Sequence, residues 1–207
     1  MVDDASTDGT PTVVAALQTQ YAWLRSIRLP KNGGSSVARN VAIAGTPSQF
    51  VLPLDADDRI SRRYLGCCEY TLQTADVACT ARRRFGAATD RYPAAVVTLE
   101  KLKRGPFIHC ACPYRRECWE KIGGYDEAPD LRMGWEDYEF WIRMAKAAVR
   151  FGTAERRAFL WHRRHLRNEV EAEADSRQVS LEAAYRQIRA NIRRRHPGFA
   201  CDHYFPR

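Results

Sequence analysis

The residues best placed to do chemistry are Asp55, Asp57 and Asp58, in the stretch FVLPLDADD over 50–58. The apolar run 50–54 reads as a short buried strand. Carboxylates directly after it put negative charge at the carboxyl edge of a sheet, where open α/β sheets bind ligands. Hard cations such as Mg²⁺ and Mn²⁺ take oxygen ligands and bridge one or two carboxylates to phosphates. The same residues also suit a turn or the cap of a helix starting near Ser61. A second acidic pair, Glu136 and Asp137, lies in GWEDYEFWIRMAKAA. These carboxylates stand in the first turn of an amphipathic helix expected over 136–148. There they either satisfy the helix dipole or present a general base. A third group is KNGGSSVARNVAIAG. Gly33 and Gly34 permit a tight loop, a helix follows to about Ala44, and Arg39 sits early in it. That is an anion- or base-recognition element or an ordinary loop–helix joint.

Elements of both kinds must position these groups. Val2 reads as the end of a strand. Thr10 and Pro11 start a helix whose face carries Val13, Val14, Leu17 and Tyr21. A short strand is expected over 26–29, ended by Pro30. Pro53 cannot donate to a sheet ladder, so a local irregularity is expected just before Asp55. Further along, the pattern predicts a helix over 61–73, a strand over 76–80, a variable Arg-rich loop over 81–97 and a short helix over 99–103. A strand over 107–112, a helix over 115–122 stopped by Gly123 and Gly124, and a loop over 125–133 come next. The last strand is expected over 158–161, and a basic helix over 180–195 precedes the aromatic tail HYFPR. Alternating strands and helices define an α/β class.

The chain has 207 residues, 45% of them hydrophobic, and a formal net charge of +8. This suits one domain with a helical extension and favours anionic partners without choosing among them. Seven cysteines, an odd number with no signal peptide ahead of them, read as free thiols in a reducing cytoplasm. His109, Cys110, Cys112 and Cys118 could be imagined as a zinc site, but their spacing fits no standard C-x-x-C pair, and packed thiols are the expectation. No apolar run approaches the ~20 residues of a membrane span.

Taken in order, VDDASTDGT, NGGSSVARNVAI, LDADD, RRECWEKIGGYDE and GWEDYEFWIRMAK resemble the family-two inverting glycosyltransferases of the GT-A fold, over residues 2 to about 165. The resemblance implies a GT-A-like, mixed and mostly parallel sheet flanked by helices, as a domain over 1–165 with a basic helical extension over 166–207. It implies transfer of a sugar from a nucleoside-diphosphate sugar to a hydroxyl of a glycan, lipid-linked or other glycoconjugate acceptor, in the cytoplasm or at the inner face of the membrane. Asp4 resembles the acid that hydrogen-bonds the nucleotide base, and Arg39 the basic residue near base and diphosphate. Asp55 and Asp57 match the D-x-D acids that hold Mg²⁺ or Mn²⁺, with Asp57 the direct ligand and Asp58 a supporting neighbour. Asp137 matches the catalytic base, with Glu136 beside it. Trp135 could stack on the acceptor sugar, whereas Trp141 suits core packing. His165 resembles a basic element that approaches the diphosphate.

The family begins with a further strand and helix ahead of VDD, so the expected domain is N-terminally incomplete, with an apolar sheet edge open beside Val2. A remnant that retains only weak nucleotide binding stays open as an alternative. So does a basic interaction protein, although it would need no acid cluster at a strand end; nucleic acid is not the expected partner. The basic end of the last helix reads either as a solvated face or as a contact with an anionic membrane.

Overall fold

The computed structural model describes residues 1–166, 169–199 and 201. Mixed pairing organises it. β1 (Val2–Asp3) lies parallel to β2 (Ile27–Arg28) as a two-stranded unit. Between them α1 (Thr10–Gln20) begins at Pro11, with the Asp8 carboxylate accepting from the Thr10 amide at 2.9 Å. Only Val14 on this helix is buried, and the expected apolar face largely meets solvent at Val13 and Tyr21. The glycine loop then feeds α2 (Ser35–Ala44).

A central four-stranded sheet runs β3 (Phe50–Val51), β8 (Tyr114–Arg115), β5 (Val77–Cys79), β9 (Phe151–Thr153). A second runs β4 (Arg59–Ile60), β10 (Phe159–Arg164), β6 (Ala81–Gly86), β7 (Arg91–Tyr92). The pairing is mixed, as expected, and most of the paired positions lie in the three parallel ladders. β1–β2, β6–β10 and β5–β9 are parallel, and the other four described pairings are antiparallel.

Helices α3 (Tyr64–Thr71), α4 (Leu99–Leu102), α5 (Arg116–Lys121), α6 (Glu136–Lys146), α7 (Glu169–Ser176) and α8 (Leu181–Arg195) complete the fold. The main core centres on α6, where Tyr138, Phe140, Trp141, Ile142 and Met144 are almost fully buried. Phe140 stacks on Tyr125 with ring centres 4.0 Å apart, and Trp141 meets Tyr114 edge-on, so Trp141 is core as expected. Ile188 and Ile192 of α8 join this same core. The C-terminal helix is therefore an integral amphipathic helix rather than a peripheral surface element.

Three expectations fail for physical reasons. β3 stops at Val51, and Leu54 is exposed, because Pro53 removes a ladder donor two residues later. Residues 81–97 are not a loop: β6 and β7 form a hairpin whose arginines lie over aromatic rings, a pattern that hydrophobic periodicity misses. Residues 107–112 form no strand. Gly105 and Pro106 open the segment and Pro113 closes it, and it crosses the interior as buried irregular chain with the Ala111 carbonyl accepting from the Tyr64 hydroxyl. The aromatic tail 203–207 lies outside the described residues.

Candidate functional site

Asp4 follows β1 and fastens the glycine loop. Its two carboxylate oxygens accept from the amides of Gly33 and Gly34 at 2.6 and 2.7 Å. The loop needs these glycines: Gly34 has φ +86°, and a Cβ on Gly33 would sit 2.9 Å from Val37. The loop so fixed launches α2 and places Arg39 on its second turn.

Arg39 is the hub. One of its guanidinium nitrogens donates to Glu136 at 2.6 Å and the other to Asp55 at 3.1 Å. The guanidinium carbon lies 5.5 Å from the centre of the Tyr125 ring. Residues from α2, the chain after β3, and the start of α6 are thus drawn together from distant points in the sequence. Asn40, next in the chain, locks the Gly-Gly-Tyr segment in place. Its side-chain oxygen accepts from the Tyr125 amide at 2.8 Å and from Trp119 at 3.0 Å.

The two acidic groups have different surroundings. Asp55 and Asp57 are open to solvent, with side chains 41% and 40% exposed. Asp57 takes a 2.6 Å contact from His165, so His165 does reach the acidic stretch. Asp58 plays another part. Its carboxylate is 1% exposed, accepts from the Arg163 amide at 2.8 Å and lies 3.2 Å from His162 Nδ1. Asp58 therefore fastens β10 and does not stand ready to support an ion. Among the described residues no cluster of three or more His, Cys, Asp or Glu side chains forms a ready-made metal site. What the chain offers is a pair of accessible hard-oxygen donors, Asp55 and Asp57, which fits a cation that keeps water and phosphate ligands.

At the start of α6, Gly134 and Trp135 have φ +121° and +68°. A left-handed tryptophan is costly and marks a turn the surroundings impose. The turn presents Glu136 and Asp137 at the positive end of the helix. Glu136 is buried against Arg39. Burial, then the neighbouring Glu136 charge, pushes the Asp137 carboxyl up to about 7, although Arg39 and the Tyr138 amide pull it the other way. A carboxylate poised there has the basicity a general base needs near neutral pH. Trp135 does not serve as an open stacking platform. It is buried, edge-on to Tyr138 at 5.7 Å and tilted against Tyr185.

Sequence reading set Cys110 among the packed thiols and not at this site, where its thiol lies 3.3 Å from the second oxygen of Asp55. Burial and the Asp55 charge push this thiol well up, so it remains a neutral donor behind the carboxylate. It also missed the Tyr125 ring beneath Arg39. Neither has a local signal, because both arrive through long-range packing. The imagined zinc group is instead a set of packed side chains: His109 meets Thr80 at 3.0 Å and Cys112 at 3.8 Å, and all seven cysteines are free.

The fold and this cluster define a glycosyltransferase-like α/β domain of the GT-A kind. The profile of Glycosyl transferase family 2 matches residues 1–125, and the chain belongs to that family. Over 59 residues it is 36% identical to the "Putative teichuronic acid biosynthesis glycosyltransferase TuaG" of Bacillus subtilis, and over 60 residues 38% identical to the succinoglycan biosynthesis protein ExoO of Rhizobium meliloti. These segments are 28% and 29% of this chain but only 23% and 17% of the relatives. Among solved structures, S. aureus TarS 1–349 in complex with UDP-GlcNAc matches at TM-score 0.68 and 18% identity, covering 99% of this chain and 66% of that one. The Pyrobaculum calidifontis mannosyltransferase PcManGT, in complex with GDP-Man and Mn²⁺, matches at 0.61 and 18%, covering 96% and 62%.

Proposed function

We propose that this chain carries the transfer centre of a nucleotide-sugar-dependent, inverting glycosyltransferase that builds a glycan or glycoconjugate. The observation that carries the reading is Arg39, which joins Asp55 of one acidic group to Glu136 of the other. It makes one site of two motifs 81 residues apart in sequence (136 − 55). The nucleotide-sugar complexes of TarS and PcManGT support a nucleoside-diphosphate sugar as donor.

Asp57 and Asp55 would hold Mg²⁺ or Mn²⁺, which when bound neutralises charge on the departing diphosphate. In this reading Asp4 and the glycine loop it fastens receive the nucleotide base. Asp137 accepts the proton of the acceptor hydroxyl as its oxygen attacks the anomeric carbon. One bond forms there as the bond to the diphosphate breaks, so a single displacement inverts the centre. Glu136 and Arg39 set the basicity and position of Asp137. His165, which contacts Asp57, would act on the diphosphate in this reading. Residues 1–165 form the transfer domain in this reading, with 166–207 as its extension, and the compartment is the cytoplasm.

The test is donor hydrolysis by the purified chain over UDP-, GDP- and dTDP-sugars, with Mn²⁺ and with chelator. Release of one nucleoside diphosphate that depends on the cation supports the reading. Absence of both cleavage and nucleotide binding across the panel contradicts it.

A further inference from the structure

One face of the β4–β10–β6–β7 sheet has no part in the site above. Strand register and side-chain alternation fix its composition. Arg59 of β4 pairs with Trp161, Trp161 with Arg83, and Arg83 with Arg91. Phe159 and Arg163 flank Trp161 on the same side, and Phe85 lies beside Arg163. None of the strand positions on this face is acidic. The opposite face carries Leu160, fully buried in a second core cluster with Tyr64 and Leu72. The arginine face points outward: Arg59, Arg91 and Arg163 are exposed and Trp161 is 36% exposed. No described ion pair involves its four arginines.

The contacts on this face select its partner. The Arg83 guanidinium lies 4.0 Å from the Phe159 ring centre and 5.7 Å from that of Trp161, and Arg59 lies 5.7 Å from that of Phe85. Each aromatic ring already has a guanidinium over it. Base stacking on single-stranded nucleic acid needs open ring faces, so that partner fits poorly. Guanidinium groups set against aromatic rings, with a part-exposed tryptophan among them, suit the phosphate and acyl boundary of a bilayer. α8 differs: Arg194 and Arg195 pair with Asp130, and Arg195 also pairs with Asp126 at 2.8 Å.

We propose that the face bearing Arg59, Arg83, Arg91, Arg163, Phe159 and Trp161 docks on an anionic lipid bilayer. No described helix is long and apolar enough to cross a membrane, so this contact is peripheral. β4 follows Asp57 and Asp58 directly, and β10 runs into His165, so the docked sheet holds the rim of the acidic site at the lipid surface.

The test is co-sedimentation of the full chain with phosphatidylglycerol-containing and pure phosphatidylcholine vesicles at low salt. The parent binds the anionic vesicles and is left behind by the neutral ones. The triple variant Arg59→Glu, Arg91→Glu, Arg163→Glu loses about a hundredfold in partitioning. The charge-matched variant Arg25→Glu, Arg104→Glu, Arg186→Glu, away from this face, stays within a few-fold of the parent. Brominated lipid quenches parent fluorescence, and Trp161→Phe abolishes most of that quenching while keeping the fold. Equal losses in the two triple variants, quenching unchanged by Trp161→Phe, or competition by a single-stranded oligonucleotide at matched charge through the same arginines would each overturn the proposal. The outcome is independent of donor turnover, so it separates this inference from the transfer reading.

Discussion

The acids at the end of β3 and the acids at the start of α6 are the same chemistry in two environments. Asp55 and Asp57 are about two-fifths exposed, so water and cations reach them. Asp137 sits beside the buried Glu136 and is pushed up to about 7. Open carboxylate oxygens suit a hard cation; a half-buried carboxyl raised by burial and a neighbouring acid suits proton transfer. In the proposed reading, location rather than residue type would divide the labour, and Arg39 bridges the two groups.

The sharpest way to break that division is Asp137→Asn. It keeps the size and removes the acceptor for the proton, so turnover should fall about a hundredfold to ten-thousandfold with donor affinity nearly unchanged. Turnover within a few-fold of the parent would move the base to Glu136. At the other acidic group, Asp57→Ala should weaken Mn²⁺-dependent nucleotide binding and cost about a hundredfold in turnover. Asp58→Ala should leave nucleotide titrations nearly intact but lower stability by about 1 to 3 kcal/mol, because the Arg163 amide loses its buried acceptor. Calorimetry beside the titrations separates the two aspartates; equal loss of binding would return Asp58 to the metal.

The same contrast predicts opposite effects on stability and rate. Because the folded Asp137 pKa is raised, its proton favours the native state. That stabilisation is complete below the unfolded carboxylate pKa near 4 and is lost as pH rises to about 7. Asp137→Asn should therefore stabilise the chain above neutrality by about 1 to 3 kcal/mol and do little in acid. Thermal unfolding at several pH values checks this, and a destabilised variant above pH 7 would contradict it. The smallest effect is expected from Glu136→Gln. Removing the neighbouring charge should lower the acid limb of the pH–rate profile by less than about one unit. A limb that rises instead would mean that Glu136 acts mainly by holding Arg39.

Much of this was legible in the residues. The order of the five motifs specified the family, and α6, α2 and the irregularity at Pro53 lie close to where periodicity and proline chemistry place them. The β6–β7 hairpin was not, since β6 carries three consecutive arginines and no apolar alternation; those arginines lie over aromatic rings of β7 and β10. The roles of Asp58 and Trp135 were not legible either. Their environments are made by β10 and α8, more than a hundred and about fifty residues away respectively. Asp4 shows the intermediate case: its motif was visible, but its grip on the glycine loop appears only in three dimensions.

The central claim is that its surroundings make Asp137 the base. The most direct measurement is the pH dependence of cation-supported donor hydrolysis at saturating donor, for the parent and for Asp137→Asn. The parent rate should rise about tenfold per pH unit below about 7 and level off above it, while the variant stays low and loses that limb. A parent profile flat through pH 7, or a variant that keeps the limb, would contradict the account.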